Sequence, residues 1–463
     1  MPIDGGPKMI GRETERSWFL KKSQSGKAEL IVLYGRRRVG KTYLMENTFP
    51  DALFLTADLA ETEALTGRFS EPLKNRLGFP SGIVVSNWDD FFRLLERSLT
   101  EKSTRLVVWD EFQYIPQGDP SFLSIFQRWW DTAFSRMPVM FVLCGSMIGM
   151  MERIALLEKS PLYGRRTGQY HLQPLEFPAS GEFLKEMSPF DRVQTWSVTG
   201  GVPLYLRQFS GYKKFEDALL DKVLSPGEFL VEEGRFLVLE EFKKDPTTFF
   251  AILQTIASGR TRAAEVAQLS GVPHQNLPVY LRKLLNLGLV KKEHPFSLKT
   301  PKKTPLYFID DEYLRFYFRF LMNAKDLVYR ERGQELREKI MEKLSVHASM
   351  TFEKICRSWM QRNASFDRVG RWWDKNEEID IIGQKSDCLA FAECKWTNQP
   401  VGQAIYRGLL RKADVFQQLS MPENLKMEYY LFSRSGFSGI APATDLHLVD
   451  LKSLSSAPFA VHR

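Results

Sequence analysis

Residues 35 to 42 read Gly35-Arg36-Arg37-Arg38-Val39-Gly40-Lys41-Thr42, a match to Gly-x4-Gly-Lys-[Ser/Thr]. These types at this spacing suit one task. The glycines let backbone N–H groups wrap a polyphosphate, Lys41 reaches its outer oxygens, and the Thr42 hydroxyl can ligate Mg2+ at the positive end of a helix. A second group completes such a site. The apolar run Arg105-Leu106-Val107-Val108-Trp109 ends in Asp110 and Glu111; Asp110 would hold Mg2+, directly or through water, and Glu111 would polarise the water that attacks a γ-phosphate. A third group lies far along the chain: Asp380, Glu393 and Lys395, spaced Asp-x12-Glu-x-Lys. Two carboxylates can hold Mg2+ against a phosphodiester while an ammonium orients or deprotonates water.

Each group needs elements to position it. Leu30 to Tyr34 reads as a buried strand and Thr42 to Asn47 as a helix, the context a phosphate-binding loop requires. Downstream, Leu53 to Thr56 reads as a strand, a polar helix starts near Glu61, and Trp88 begins a run with helical spacing. A helix from Phe122 to Phe134 then leads into a strand, Val139 to Cys144, that ends at Gly145-Ser146 and would put a polar side chain beside the strand of Asp110. This alternation predicts parallel strands with crossover helices. Asp380 and Glu393 fall on two strands of a hairpin joined by a polar turn, Gly383 to Asp387. Strand periodicity puts Glu393 and Lys395 on one face, and Asp380 can face them from the partner strand.

With 463 residues the chain has length for about three domains. Net charge is +8, a balance that favours polyanionic partners, nucleic acid before membrane. No stretch reaches the ~18 apolar residues of a membrane span and no basic-then-apolar leader begins the chain, so a cytoplasmic location is expected. Cys144, Cys356, Cys388 and Cys394 sit in apolar runs without a Cys-x2-Cys pair, as reduced core thiols do.

From Asp245 the pattern changes to short helices, Phe249 to Ala257, Ala263 to Leu269 and one through Tyr280 to Leu285, followed by Leu289 to Lys292. This order predicts a winged helix-turn-helix, with Gln275, Asn276, Arg282 and Lys283 outward and Lys299, Lys302 and Lys303 on the wing near DNA phosphates. A packing module is the alternative. The aromatic segment Tyr307 to Phe318 has helical spacing and reads as a packed joint. A charged helix from Arg330 to Met341 and a further helix carrying Phe352 to Cys356 are expected next. Arg165 and Arg166 are candidates to contact phosphate or a neighbouring subunit of a homo-oligomer, with solvated surface arginines as the alternative.

Ile10-Gly11-Arg12-Glu13, the phosphate loop, Val108 to Glu111, Cys144 to Ser146 and Gly200 to Leu206 together resemble the archaeal-type ATPases of the STAND class of P-loop NTPases, within the AAA+-like group. The resemblance implies that ATP and ADP bind with Mg2+, that Pro203 in a helical lid contacts the nucleotide, and that hydrolysis is a slow switch. Three arginines inside the loop exceed what phosphate needs, and could meet DNA or another subunit. The carboxy-terminal third resembles the PD-(D/E)XK nuclease core, with Ile379 where the motif names proline. By that resemblance Asp380 and Glu393 are metal ligands, Lys395 activates water, and Glu353 supplies an extra carboxylate; the alternative is a structural Glu393–Lys395 ion pair in a non-cutting fold. The expected fold class is α/β: a P-loop parallel sheet over 1–170, a helical lid over 171–244, an all-α winged helix-turn-helix over 245–308, and an α/β restriction-endonuclease-like domain over 309–463.

Overall fold

The computed structural model describes residues 9–79, 84–101, 105–298, 304–374, 377–420 and 425–456. The chain divides into two units, Met1–Leu175 and Glu176–Arg463.

The first unit is built on a five-stranded parallel sheet: β1 (Glu29–Tyr34), β2 (Leu53–Thr56), β3 (Leu106–Asp110), β4 (Met140–Gly145) and β5 (Gly168–His171), in the order β2-β3-β4-β1-β5. Burial follows that order. Every residue of β1, β3 and β4 is buried, because central parallel strands are covered on both faces, whereas the edge strands β2 and β5 alternate. The helix Trp88–Glu101 turns Trp88, Phe91, Phe92, Leu95 and Leu99 inward, an i, i+3, i+4, i+7 stripe. They meet Trp109 of β3 and Phe122 of the helix Phe122–Thr132, with 4.6 Å between the Trp88 and Phe122 ring centroids. Each such ring contributes about 1.5–3 kcal/mol on burial. Together they hold the end of β3 in register beside β4.

In the second unit, short helical turns at Phe177–Ala179 and Ser180–Phe183 precede helices Pro189–Thr199, Pro203–Gln208, Phe215–Val223 and Leu230–Glu241. Helices Pro246–Ala257, Ala263–Ser270 and Leu277–Asn286 follow, and then β6 (Val290–Glu293) and β7 (Leu306–Ile309) form an antiparallel ladder. This segment is therefore not all-α. Tyr307 and Phe308 belong to β7 rather than to a helix, since they pair with Lys292 and Lys291; helix begins only at Glu312, where the Asp311 carboxylate accepts the Leu314 N–H as a cap. Tyr313, Phe316, Tyr317 and Phe318 are buried core, as the aromatic density suggests.

One 31-residue helix, Gly333–Asn363, replaces the two expected there. No Gly or Pro interrupts it after Gly333, so nothing ends it early. Its fully buried His347 shares a hydrogen bond through Nε2 with the Ser197 carbonyl at 2.8 Å, tying it to the helix Pro189–Thr199. Five strands follow in a mixed sheet of order β12-β11-β10-β9-β8: β8 (Arg368–Trp373), β9 (Glu378–Lys385), β10 (Cys388–Lys395), β11 (Lys426–Ser433) and β12 (Leu446–Asp450). β8, β9 and β10 pair antiparallel, and β10, β11 and β12 pair parallel. The β9–β10 turn is tighter than the sequence suggests, because Gly383 and Gln384 stay in the ladder opposite Ala390 and Leu389 and leave only Ser386 and Asp387 outside the strands. Odd-numbered Leu389 and Phe391 pack on the helix Gln403–Ser420. Glu393 and Lys395 continue that alternation. All four cysteines are buried and unpaired. Among the described residues no helix is long and apolar enough to cross a membrane.

Candidate functional sites

In the first unit, β1 delivers the phosphate loop and β3 delivers the acids. Gly40 has φ 94° and starts the helix Lys41–Thr48, a conformation that a β-carbon disfavours. At Gly35 a β-carbon would lie 2.4 Å from the Leu172 carbonyl oxygen, so this position admits no side chain. Arg38 holds φ 69°. Arg36 and Arg38 are half-buried and Arg37 is exposed, while the Val39 side chain lies in the core; any contribution of Val39 to a phosphate is thus from its backbone. Arg12, at the start of the first helix, is the brace. It is buried, its guanidinium donates to the Val39 and Gln173 carbonyls at 3.0 and 2.8 Å, and Glu15 pairs with it at 2.7 Å. In the sequence Arg12 announced little more than a helix start.

Lys41 is buried and its Nζ lies 2.9 Å from the Gly35 carbonyl and 3.2 Å from that of Arg36. The Thr42 hydroxyl donates to Asp110 Oδ2 at 2.7 Å. Burial pushes the Asp110 carboxyl up, against the Thr42 hydrogen bond that favours its charge. A hydroxyl and a carboxylate this close are hard oxygen donors of the kind that Mg2+ takes alongside nucleotide phosphates, so the residues fit the ion. Glu111 sits at φ 50°, a strained conformation for a non-glycine residue. Its Oε2 accepts from Gln113 Nε2 at 2.5 Å and from the Ser146 hydroxyl at 2.7 Å. Ser146 reaches it because β4 inserts between β1 and β3. Gln113 is the residue that sequence reasoning missed, though it stands two positions after Glu111. Arg165 forms a paired contact with Asp131, 2.7 Å at both Nε and Nη2, and Arg166 lies over the Tyr163 ring.

Pro203 lies in the second unit, in the first turn of the helix Pro203–Gln208. Gln275 and Asn276 are exposed just before the helix Leu277–Asn286, and Arg282 and Lys283 are exposed on it. Lys299, Lys302 and Lys303 lie outside the described residues.

The third group converges on the β9–β10 ladder, whose last registered pair, Ala392 with Ile381, stands one step from Glu393 and Asp380. Glu393 is buried, and Lys395 Nζ lies 2.5 Å from its Oε1. Lys412, from the helix Gln403–Ser420, meets both Glu393 oxygens at 3.1 Å. Sequence patterning gave no hint of Lys412, because a helical lysine 19 residues away reads as solvated surface. Asp380 Oδ2 accepts the Cys394 N–H at 2.8 Å. Burial, reinforced by the Glu393 charge, raises the Asp380 carboxyl to about 6. Glu353, on the long helix, is raised to about 7 by burial and by Asp380, against the Arg371 guanidinium 2.8 Å away. Lys395 is held above the ordinary lysine range by Glu393, although burial alone would lower it. An ammonium held so firmly orients water or stabilises charge better than it removes a proton. Among the described residues no group of three or more His, Cys, Asp or Glu is arranged to hold a metal ion. Asp380 and Glu393 nonetheless offer oxygen donors suited to Mg2+, while Lys395 and Lys412 bring to Glu393 the positive charge that such an ion would bring.

A pH dependence follows. Asp380 and Glu353 carry raised carboxyls in the folded state, so folding takes up protons and stability declines as pH rises from about 4 through 7. Asp380→Asn should remove its part of that slope and stabilise the protein at pH 8 by about 1–2 kcal/mol. Chemical denaturation of both proteins across this range measures it; parallel curves would show that Asp380 is not held protonated.

With these geometries in view, residues 9–209 match the family described as an ATPase domain predominantly from Archaea. This region is similar to archaeal-type ATPase domains. Residues 317–408 match the family described as Archaea bacterial proteins of unknown function. Uncharacterized protein MJECL04 of Methanocaldococcus jannaschii is 29% identical over 417 residues, 87% of this chain and 91% of the relative. Among solved structures, the Walker-type ATPase paby2304 of Pyrococcus abyssi aligns with TM-score 0.52 at 22% identity, covering 68% of this chain and 99% of that one. At that identity the likeness concerns the fold. The matched span carries Arg12, the phosphate loop, Asp110, Glu111 and Ser146.

Proposed function

We propose that the chain is an ATP-switched DNA-processing protein. Its ATPase domain binds ATP and hydrolyses it slowly, a winged helix-turn-helix at 245–308 engages DNA, and the carboxy-terminal domain at 309–463 cuts it. One observation carries the ATPase reading: the Thr42 hydroxyl 2.7 Å from Asp110, with Glu111 adjoining. Gly35 to Gly40 would cradle the phosphates, with Arg36, Arg37 and Arg38 adding charge around them, and Lys41 would hold the outer oxygens. Thr42 and Asp110 would hold Mg2+, which neutralises charge on the phosphates when bound. Glu111 orients the attacking water once Gln113 or Ser146 yields its Oε2, and that extra step suits a slow switch. Pro203, opening its helix after Gly200 and Gly201, is assigned to the nucleotide from the lid at 171–244. Four buried thiols without disulfides accord with a cytoplasmic setting.

In the carboxy-terminal domain, Asp380 and Glu393 would hold a divalent ion, whose chemistry is to polarise a phosphodiester. Lys395 then orients the attacking water. The helix-strand-strand-strand-helix-strand order from Gly333 to Ser433 supports a restriction-endonuclease-like reading of this domain. A second reading has a specific observation behind it. Lys395 and Lys412 together saturate Glu393, as a structural ion-pair cluster in a non-cutting, partner-binding domain would. Incubating the protein with branched, single-stranded and duplex DNA, with and without ATP and Mn2+, separates the two. Cleavage supports the first, and its absence on every substrate supports the second.

DNA binding through the helix Leu277–Asn286 makes its own prediction. Arg282→Glu with Lys283→Glu should weaken binding and lower the salt dependence by about two charges. Titration at several salt concentrations reads both quantities. Unchanged affinity and slope would leave this helix as a packing surface, a role that the exposed Leu269 and Val279 nearby would also suit.

A further inference from the structure

The long helix sets Met350, Glu353, Lys354 and Arg357 on one face, at i, i+3, i+4 and i+7. That face borders a small open pocket within the second unit. Its other walls are Lys291 and Glu293 of β6, Asp310 just after β7, Glu312 and Arg315 of the short helix that follows, and Arg371 of β8. Five basic side chains (Lys291, Arg315, Lys354, Arg357, Arg371) thus face four acidic ones (Glu293, Asp310, Glu312, Glu353).

The pairing inside is uneven. Glu293 is shared by Lys291 at 2.6 Å and Arg357 at 2.9 Å, and against burial these two hold its carboxyl down to about 2. Lys354 reaches Asp310 at 3.1 Å and Glu312 at 3.4 Å. Arg315 is only 7% exposed, and its Nη2 donates to Glu312, to Thr351 and to the His347 carbonyl. The Nε–H groups of Arg315 and Arg357 are buried and make no hydrogen bond. Buried guanidinium donors of this kind are costly to leave unpaired. Arg371 is taken up by Glu353 at 2.8 Å and Glu378 at 2.9 Å, so what the cavity leaves over is N–H donors; what it would recognise is an acceptor with several oxygens. Arginine forks match phosphate oxygens, and a lysine adds a point charge.

We propose that this cavity is a phosphate-binding site, separate from the phosphate loop of the ATPase domain. Lys291, Lys354 and Arg357 contact the anion, and Arg315 lends charge from behind. Because these residues come from β6, the short helix and the long helix, a bound phosphate links the β6–β7 ladder to the carboxy-terminal domain and stabilises that junction by mass action. The chemistry is shared by inorganic phosphate and by the terminal phosphate of a nucleic-acid strand.

Calorimetric titration of the full chain carrying Lys41→Ala, which disables the phosphate loop, tests the proposal at constant ionic strength. The probes are inorganic phosphate and a short oligonucleotide with or without a 5′-phosphate. Saturable binding is expected, and Arg357→Gln added to that background should weaken it about tenfold or more. Arg357→Lys should restore part of the loss. Binding of inorganic phosphate identifies the free anion as a sufficient ligand, and binding only of the 5′-phosphorylated strand identifies a strand end. Should Arg357→Gln fail to fold, Lys354→Met reads the same effect from a half-exposed position. No saturable binding by any probe, or binding indifferent to both cavity variants, overturns the proposal. The comparison between cavity variants holds whichever way the ATPase reading falls.

Discussion

Glu111→Gln is expected to keep ATP bound and to slow its turnover by about 10²- to 10⁴-fold, the usual contribution of a positioned general base. The amide preserves size and can still meet Ser146 across 2.7 Å, so the loop and Asp110 keep their geometry. Lys41→Ala should act earlier in the cycle. It removes the buried ammonium that lies beside the Gly35 and Arg36 carbonyls, and with it the charged partner of the outer phosphates; nucleotide affinity should fall at least tenfold. A fluorescent nucleotide titration and a phosphate-release assay on the two variants separate binding from hydrolysis. Normal turnover by Glu111→Gln would remove Glu111 from the role of base. Tight ATP binding by Lys41→Ala would remove the loop from the site.

The second large effect concerns the carboxy-terminal acids. Asp380→Asn should reduce metal-dependent DNA cleavage to background, because one of two anionic ligands becomes a neutral amide. Lys395→Met should slow cleavage while leaving Mn2+ affinity near that of the wild type, since its task is water rather than the ion. Lys412→Met discriminates further: freeing one pair of contacts to Glu393 should ease metal entry and tighten Mn2+ binding. The structural ion-pair reading predicts the opposite pattern. There, Lys395→Met and Lys412→Met each lower stability by about 1 kcal/mol, Mn2+ binds none of the variants, and no DNA is cut by the wild type.

The candidate sites were legible in the chain to different depths. The phosphate loop and Asp110-Glu111 are local patterns, a few residues at the end of a hydrophobic strand, and the structure keeps each at the strand end that the pattern requires. Asp380, Glu393 and Lys395 depend on a hairpin, a short-range device, and were legible for that reason; the ladder's last registered pair stands one step from Asp380 and Glu393. Gln113, Lys412 and the Arg12 brace were not. Each acts across elements that meet only when sheets and helices pack, and a polar side chain in a helix or turn carries no mark of its partner.

Hydrophobic pattern alone determined β1 to β4 of the first unit's parallel sheet, the three helices from Pro246 to Asn286, the buried cysteines and the strands that bear the acids, and left the edge strand β5 unread. It did so because period and burial are properties of neighbours in the chain. Tertiary structure decided the rest. Pairing with β6 drew Tyr307 and Phe308 into a strand against their helical spacing. The uninterrupted packing surface from Gly333 to Asn363 merged two expected helices into one. The placement of β4 between β1 and β3 brought Ser146 to Glu111. The five basic and four acidic groups of the cavity come from β6, the turn after β7, two helices and β8; their unsatisfied donors exist only where those surfaces meet, since in the separate segments each is a solvated side chain that water would satisfy.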